Sequence, residues 1–152
     1  MLLIREATLE DVPGLVNLMR VFAAETTYRI EFDEGAAQET LATYIVHPEC
    51  AIYVADYEGV IVGMIKVAAD KEYQVRPFGL VAKMFVAPVA RGTGVARELV
   101  ANALAWFERK GCTHAFATST AGIGEVEQQM FTNLFTKFGF TSYGPCLGRV
   151  LG

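Results

Sequence analysis

The chain has 152 residues, of which 53% are apolar and 20% charged, and these proportions predict one globular domain over residues 1–152. A chain of this size hides roughly 70% of its unfolded surface when it folds, so one core can hold it without metal or disulfide support. The net charge is −4 and basic residues do not cluster, which argues against a nucleic-acid-binding protein.

The cysteines and the N-terminus bear on where the protein works. Cys50, Cys112 and Cys146 are widely spaced and lack the paired spacing of a zinc site or a redox motif, so we expect reduced thiols. Arg5 and Glu6 come too early for a signal peptide, and no run approaches the roughly 18 apolar residues of a membrane span. We therefore expect a cytoplasmic protein that does not associate with membranes.

The first third of the chain predicts a strand and two helices. Residues 2–5 form a short β-rich run, and Thr8 then resembles the cap of a helix with apolar residues on one face. A second helix is predicted from about Asp33, and His47-Pro48 ends it. Residues 26–32 between the two helices are predicted to be a loop.

The remaining elements alternate between strands and helices. Residues 51–56 and 60–68 predict a hairpin, and a third strand is predicted over residues 78–86. A long helix follows and is predicted to end near Gly111, because glycine readily adopts the left-handed conformation that often closes a helix. The later elements are a buried strand at 114–118, a helix at 125–138 and a final strand at 140–143. This order predicts a mixed sheet with helices on its faces.

Residues 91–97, Arg-Gly-Thr-Gly-Val-Ala-Arg, form a glycine-rich turn between a predicted strand and a predicted helix. Such a turn offers unpaired backbone N–H groups and the positive end of a helix dipole, which together favour a phosphate group. A nucleoside triphosphate loop would need Gly-Lys followed by Ser or Thr, whereas Val95 follows Gly94. This excludes a triphosphate loop. A dinucleotide fingerprint would need a third glycine where Arg97 stands, so the pattern does not favour a dinucleotide site either.

A third pattern has Arg or Gln, two residues, Gly, one residue, and Gly or Ala, and it is matched by Arg91, Gly94 and Ala96. With this motif and the ending Thr-Lys-Phe-Gly-Phe at 136–140, the chain resembles the GNAT superfamily of N-acetyltransferases. The resemblance covers residues 2–143. It implies an α/β fold whose mixed, mostly antiparallel sheet has about six to seven strands, splayed at the cofactor site, with helices on both faces. Acetyl-coenzyme A would be the co-substrate.

The resemblance also implies which residues hold the cofactor. The glycine-rich turn would wrap the pyrophosphate, and the backbone of the strand before it would pair with the pantetheine arm and donate an N–H to the thioester carbonyl. Gln128 falls where the family often has an Asn that bonds the pantetheine, with a solvated helix residue as the alternative. The predicted cofactor-binding residues are Phe85, Val86, Arg91, Gly92, Thr93, Gly94, Val95, Ala96, Arg97 and Gln128.

One position departs from the family pattern. Many members carry a tyrosine four residues before the glycine that closes the last helix, where it protonates the departing thiolate. Counting back from Gly139 places Phe135 there, and Phe135 cannot donate a proton. Because a thiol has a pKa of about 8.5, its thiolate is a tolerable leaving group and the missing acid would slow transfer rather than prevent it. Water, Ser119, Thr120 or Tyr143 are alternative donors, and Phe135 could instead face the core.

The acceptor amine must lose its proton before attack, because an ammonium of pKa about 10.4 has no lone pair. The motif strand carries no acidic residue, so the strand-borne glutamate of some relatives is absent. Glu25, Glu31 and Glu72 lie in predicted loops that could rim the acceptor cleft, although such a residue is more often a surface carboxylate. His47 and His114 are expected to be structural.

The leading hypothesis is acetyl transfer from acetyl-coenzyme A to a primary amine by direct attack in a ternary complex. The acceptor would be a small molecule or a peptide amine, since segments 24–36 and 69–78 mix aromatic and acidic residues. The alternatives are a catalytically silent acyl-coenzyme A binding module and an accessory domain that binds a protein. A homodimer through the sheet edge would also fit the family.

Overall fold

The computed structural model describes residues 1–26, 30–118, 124–144, 149 and 151. Its regular elements are, in chain order, β1 (Leu2–Glu6), α1 (Val12–Glu25), α2 (Glu34–Val46), β2 (Cys50–Tyr57), β3 (Val60–Asp70), β4 (Phe78–Val86), α3 (Val95–Arg109), β5 (Ala115–Ala117) and α4 (Glu125–Lys137). Short 3-10 turns precede α1 and α3.

The five strands form one sheet in the order β1-β2-β3-β4-β5. The first four are antiparallel to their neighbours, and β5 runs parallel to β4. Glu58 and Gly59 join β2 to β3 and both have positive φ, at 50° and 89°, as a two-residue hairpin of this kind requires. The prediction of a mixed, mostly antiparallel sheet is confirmed.

Helices cover both faces of the sheet. α1 and α2 pack on one face through a cluster that includes Leu15, Phe22, Leu41, Met64 and Phe85. α3 and α4 pack on the other face through a second cluster that includes Ile65, Val81, Leu99, Phe107 and Phe135. The site described below lies where the second pair of helices meets the edge of β4.

Local capping explains why the helices begin and end where the sequence predicts. The Asp33 carboxylate accepts a hydrogen bond of 2.8 Å from the N–H of Ala36 and so caps α2. After α3 the chain passes through Gly111 at φ 74°, and after α4 through Gly139 at φ 89°. The predicted bounds of these helices are confirmed to within two or three residues, and α3 begins at Val95, within the segment 91–97 that was predicted to open it.

Two predictions about strands were wrong. Residues 140–143 form no strand, because the N–H of Phe140 donates to the carbonyl of Phe135 and its ring packs against the end of α4. The described chain therefore has five strands rather than six or seven. The strand predicted to be buried, at 114–118, is β5, which is short and only partly covered, with Phe116 40% exposed, because it lies at the edge of the sheet.

No helix in the described ranges has the length and apolar content needed to cross a membrane.

Candidate functional site

β4 and β5 separate halfway along β4. Their parallel pairing covers only Gly79–Val81 of β4 against Ala115–Ala117 of β5. Beyond Val81, β4 continues beside β3 to Val86, and the register between these two strands shifts so that Ala82 has no cross-strand partner. The edge of β4 from Ala82 to Val86 thus faces away from β3 without a partner in β5, and this geometry matches the predicted splay.

A cleft of about 300 Å³ lies beside this open edge. Its walls are the end of β4, the glycine-rich turn, the first turn of α3 and one side of α4. All the predicted cofactor-binding residues line it except Thr93, whose hydroxyl instead donates to the Ala90 carbonyl within the turn. Thr93 therefore shapes the turn through a contact with its backbone.

The N-terminus of α3 opens into the cleft. Gly94 is the N-cap residue, with φ at 86°, and Gly92 before it has φ at 78°. Val95 is buried against the sheet and, like Gly94 and Ala96, lines the cleft. Because the first N–H groups of any α-helix have no partner within the helix, this turn presents donors and a positive dipole end to the cleft. The arrangement suits an anionic group.

Arg91 does not project freely into the cleft. Its Nη1 and Nη2 donate to the two carboxylate oxygens of Glu25 at 2.6 and 2.9 Å, and its Nε donates to the carbonyl of Val86 at 3.1 Å. Glu25 is the last residue of α1, so the glycine-rich turn is attached to the helix pair on the opposite face of the sheet. Glu25, which we considered as a base, is the ion-pair partner of Arg91.

Apart from Gln128, the wall contributed by α4 was not predicted from the sequence. Glu127, Met130, Phe131 and Leu134 line the cleft beside Gln128. The sequence predicts a helix at 125–138 without indicating what its apolar face contacts, and Met130 on that face is 55% exposed. Only the position of α4 across from β4 shows that part of its apolar face borders a cavity.

The residue at the usual acid position lies in the core. Phe135 is 3% exposed, and its ring centroid lies 4.4 Å from that of Phe131 and 5.0 Å from that of Phe140. It does not line the cleft beside β4. Tyr143 is 84% exposed and borders a separate cavity on the other side of α4. Ser119 and Thr120 lie outside the described residues.

The remaining predicted carboxylates and histidines do not meet at the cleft. Glu72 and Glu31 are exposed and neither lines the cleft. The Nδ1 of His47 accepts the N–H of Glu49, and the ring of His114 stacks on Phe116. These histidine contacts are local to their own segments, and the structure brings none of these four side chains to the end of β4.

Two lysines that were not predicted as site residues lie on the α1–α2 face of the sheet. Lys83 of β4 is the cross-strand partner of Lys66 of β3. The Lys83 ammonium lies 3.8 Å from the centroid of Phe22 in α1, and that of Lys66 lies 4.5 Å from the centroid of Tyr44 in α2. Burial, with the neighbouring Lys66 charge, lowers the pKa of Lys83 to about 8, and burial also lowers the pKa of Lys66.

Comparisons with known proteins agree with this geometry. The model of the acetyltransferase (GNAT) family matches residues 17–140. The uncharacterised N-acetyltransferase YjgM of Escherichia coli K12 is 27% identical over 158 residues, covering 97% of this chain and 92% of that protein.

Solved structures share the fold at lower identity. A predicted acetyltransferase with acetyl-CoA from Clostridium acetobutylicum superposes with a TM-score of 0.78 at 15% identity, covering 99% of this chain and 96% of that one. Aminoglycoside N-acetyltransferase AAC(6')-Iy in complex with CoA gives 0.77 at 17% identity, covering 99% and 95%.

Proposed function

This chain belongs to the acetyltransferase (GNAT) family, and on that basis we propose that it transfers the acetyl group of acetyl-coenzyme A to a primary amine. The observation that carries the proposal is the open edge of β4 beside the N-terminus of α3. A strand edge and a helix N-terminus together suit a ligand that has both an amide-bearing arm and a pyrophosphate.

The pyrophosphate of the donor would lie over the first turn of α3. Its pantetheine arm would then run along β4 as an added strand, from Val86 toward Ala82. Ala87 donates its N–H to Val62 of β3, whereas the Val86 carbonyl turns the other way, to Arg91. Because successive residues of a strand direct their hydrogen-bonding groups to opposite edges, the N–H of Val86 is oriented toward the arm and that of Phe85 toward β3.

The chemistry would be direct attack. The neutral amine nitrogen forms a bond to the thioester carbonyl carbon and the C–S bond breaks. The nitrogen loses one proton to solvent, and the thiolate of coenzyme A takes up one. A backbone N–H aimed at the developing oxyanion is worth about 3 kcal/mol in a water-excluded site. Phe135 supplies no proton and is buried, so we propose that solvent protonates the thiolate.

The experiment is a two-part assay on the purified protein. Coenzyme A binding is measured by calorimetry, and thiol release is measured with acetyl-coenzyme A and a panel of amino acids, polyamines, aminoglycosides and peptides. We expect amine-dependent thiol release, with one N-acetyl product found by mass spectrometry for each thiol. Binding without turnover across the panel would favour a silent acyl-coenzyme A module. Absence of binding would overturn the proposal.

A further inference from the structure

We propose that Lys66 and Lys83 bind a carboxylate of the acceptor, so that the accepted amines are amino acids or other amines that carry a carboxylate near the reacting nitrogen. The inference rests on the proposed acetyl transfer and specifies its acceptor.

The pairing of the two lysines is set by the sheet. Directly opposite residues of an antiparallel pair have Cβ atoms about 4.5–5.5 Å apart, and like charges at such positions are destabilising. Lys66 and Lys83 are such a pair. Their ammonium groups are spread toward α2 and α1, where each lies over an aromatic ring. The result is two positive charges on neighbouring strands of the α1–α2 face, each held over a ring.

No acidic side chain neutralises this pair. All 17 Asp and Glu residues of the chain fall within the described ranges. The ion pairs found among these residues involve Arg5, Arg20, Arg91, Lys110 and the N-terminus, but neither Lys66 nor Lys83. Partly desolvated ammonium groups without a carboxylate partner favour an anion that can replace their lost hydration.

The pair also lies beside the proposed reacting centre. Lys83 belongs to the part of β4 whose edge is open, next to Ala82, where the pairing with β5 stops. A pantetheine arm that advances along this edge from Val86 would bring its acyl end to the same segment. The donor cleft is on the side of α3 and α4, so an acceptor that reacts by direct attack approaches from the α1–α2 face, where both lysines lie.

The charge of the subsite separates acceptor classes. A polycationic amine would meet two ammonium groups close to the acyl carbon, and such like-charge contacts disfavour binding. An amino acid would place its carboxylate between the lysines and its amine at the thioester. The shared fold with an aminoglycoside N-acetyltransferase is therefore not matched by a shared acceptor.

The test compares pairs of product analogues that differ only in the carboxylate. N-acetylphenylalanine is titrated against N-acetylphenethylamine, and N-acetylleucine against N-isopentylacetamide, into protein saturated with coenzyme A and into cofactor-free protein. We expect the carboxylate to tighten binding about tenfold or more in at least one pair. Equal affinity within every pair, including no detectable binding of either member, would overturn the inference.

Variants assign the preference to the two lysines. Lys66→Met and Lys83→Met should each reduce the carboxylate preference several-fold while coenzyme A affinity stays unchanged, and Lys83→Arg should retain most of it. Lys137→Met, which removes an exposed charge at the end of α4, is the matched control and should change nothing. A preference that survives both methionine variants would overturn the assignment.

The two proposals fail in different ways. Absence of coenzyme A binding would overturn the proposed function. Thiol release that is equally fast with phenylalanine and phenethylamine, and with leucine and isopentylamine, would overturn only the carboxylate subsite.

Discussion

Arg91 and Glu25 are 66 positions apart in the sequence and form a two-bonded ion pair, with N–O distances of 2.6 and 2.9 Å. The pair connects the glycine-rich turn to the end of α1. Both side chains are about one quarter to one third exposed, so the contact is neither a solvated surface pair nor a fully buried one. Arg91 is therefore a residue that holds the turn in place, and its guanidinium charge is already balanced before an anion arrives.

The ion pair leads to a prediction about coenzyme A affinity. Arg91→Ala should weaken binding several-fold, because it leaves the Glu25 carboxylate unpaired near the pyrophosphate. Glu25→Gln should strengthen binding a few-fold at low salt, and the double variant should recover part of the loss caused by Arg91→Ala. Calorimetry at two salt concentrations measures all four proteins. If Glu25→Gln weakens binding as much as Arg91→Ala, the pair acts by positioning alone.

The glycine at the start of α3 should be required for binding rather than for folding. Gly94→Ala should lower coenzyme A affinity at least tenfold, because a Cβ there enters the cleft at a positive φ. Gly111→Ala is the matched control, since Gly111 also has positive φ and open space around it but does not line the cleft. Both variants should lose about 1–2 kcal/mol of stability from the left-handed backbone. Equal affinities would show that the pyrophosphate does not bind at this turn.

Phe135→Tyr should destabilise the protein without raising its turnover. The added hydroxyl enters a site that is 3% exposed and packed by Phe131 and Phe140, at a cost of about 1–3 kcal/mol. For a domain of this size each kcal/mol lowers Tm by roughly 2–4 °C. Phe116→Tyr, at a ring that is 40% exposed, should leave Tm unchanged. An unchanged Tm with faster thiol release would instead place the hydroxyl at the cofactor.

The carboxylate subsite should weaken as pH rises. Because the pKa of Lys83 is about 8, its positive charge is largely present at pH 7 and is lost as pH rises through 8, although a bound carboxylate shifts this loss upward. The nearby thiol and phenol of Cys50 and Tyr44 have pKa values raised by burial, so they remain neutral at pH 7, and Lys66 has a lowered pKa.

Binding of N-acetylphenylalanine should accordingly fall several-fold between about pH 7 and about pH 9, because Lys83 loses its charge while the carboxylate of the ligand stays ionised throughout. The decline should be smaller in Lys83→Met. A flat profile in the wild-type protein, or an equally steep one in Lys83→Met, would contradict the assignment of the titrating charge to Lys83.

Much of the fold could be predicted because the signals are local. The helical spacing of α1, the hairpin turn at Glu58-Gly59 and the glycine-rich turn at 91–97 each depend on residues within a few positions of one another. The same holds for most of the cleft around the first turn of α3. The strand predicted at 140–143 was wrong because nothing in a β-rich run of four residues shows that Phe140 packs on Phe135 instead of joining the sheet.

The sequence by itself therefore determined the order of the elements up to α4, the family and the turn that faces the cleft, since backbone conformation and hydrophobic spacing are properties of neighbouring residues. Only the tertiary structure decided the relations that depend on long-range contacts and on strand register. It paired Arg91 with Glu25, placed Lys83 opposite Lys66, and turned Phe135 into the core while Leu134 lines the cleft. These relations join residues on different elements, whose separation depends on how the sheet and helices pack and not on their spacing along the chain.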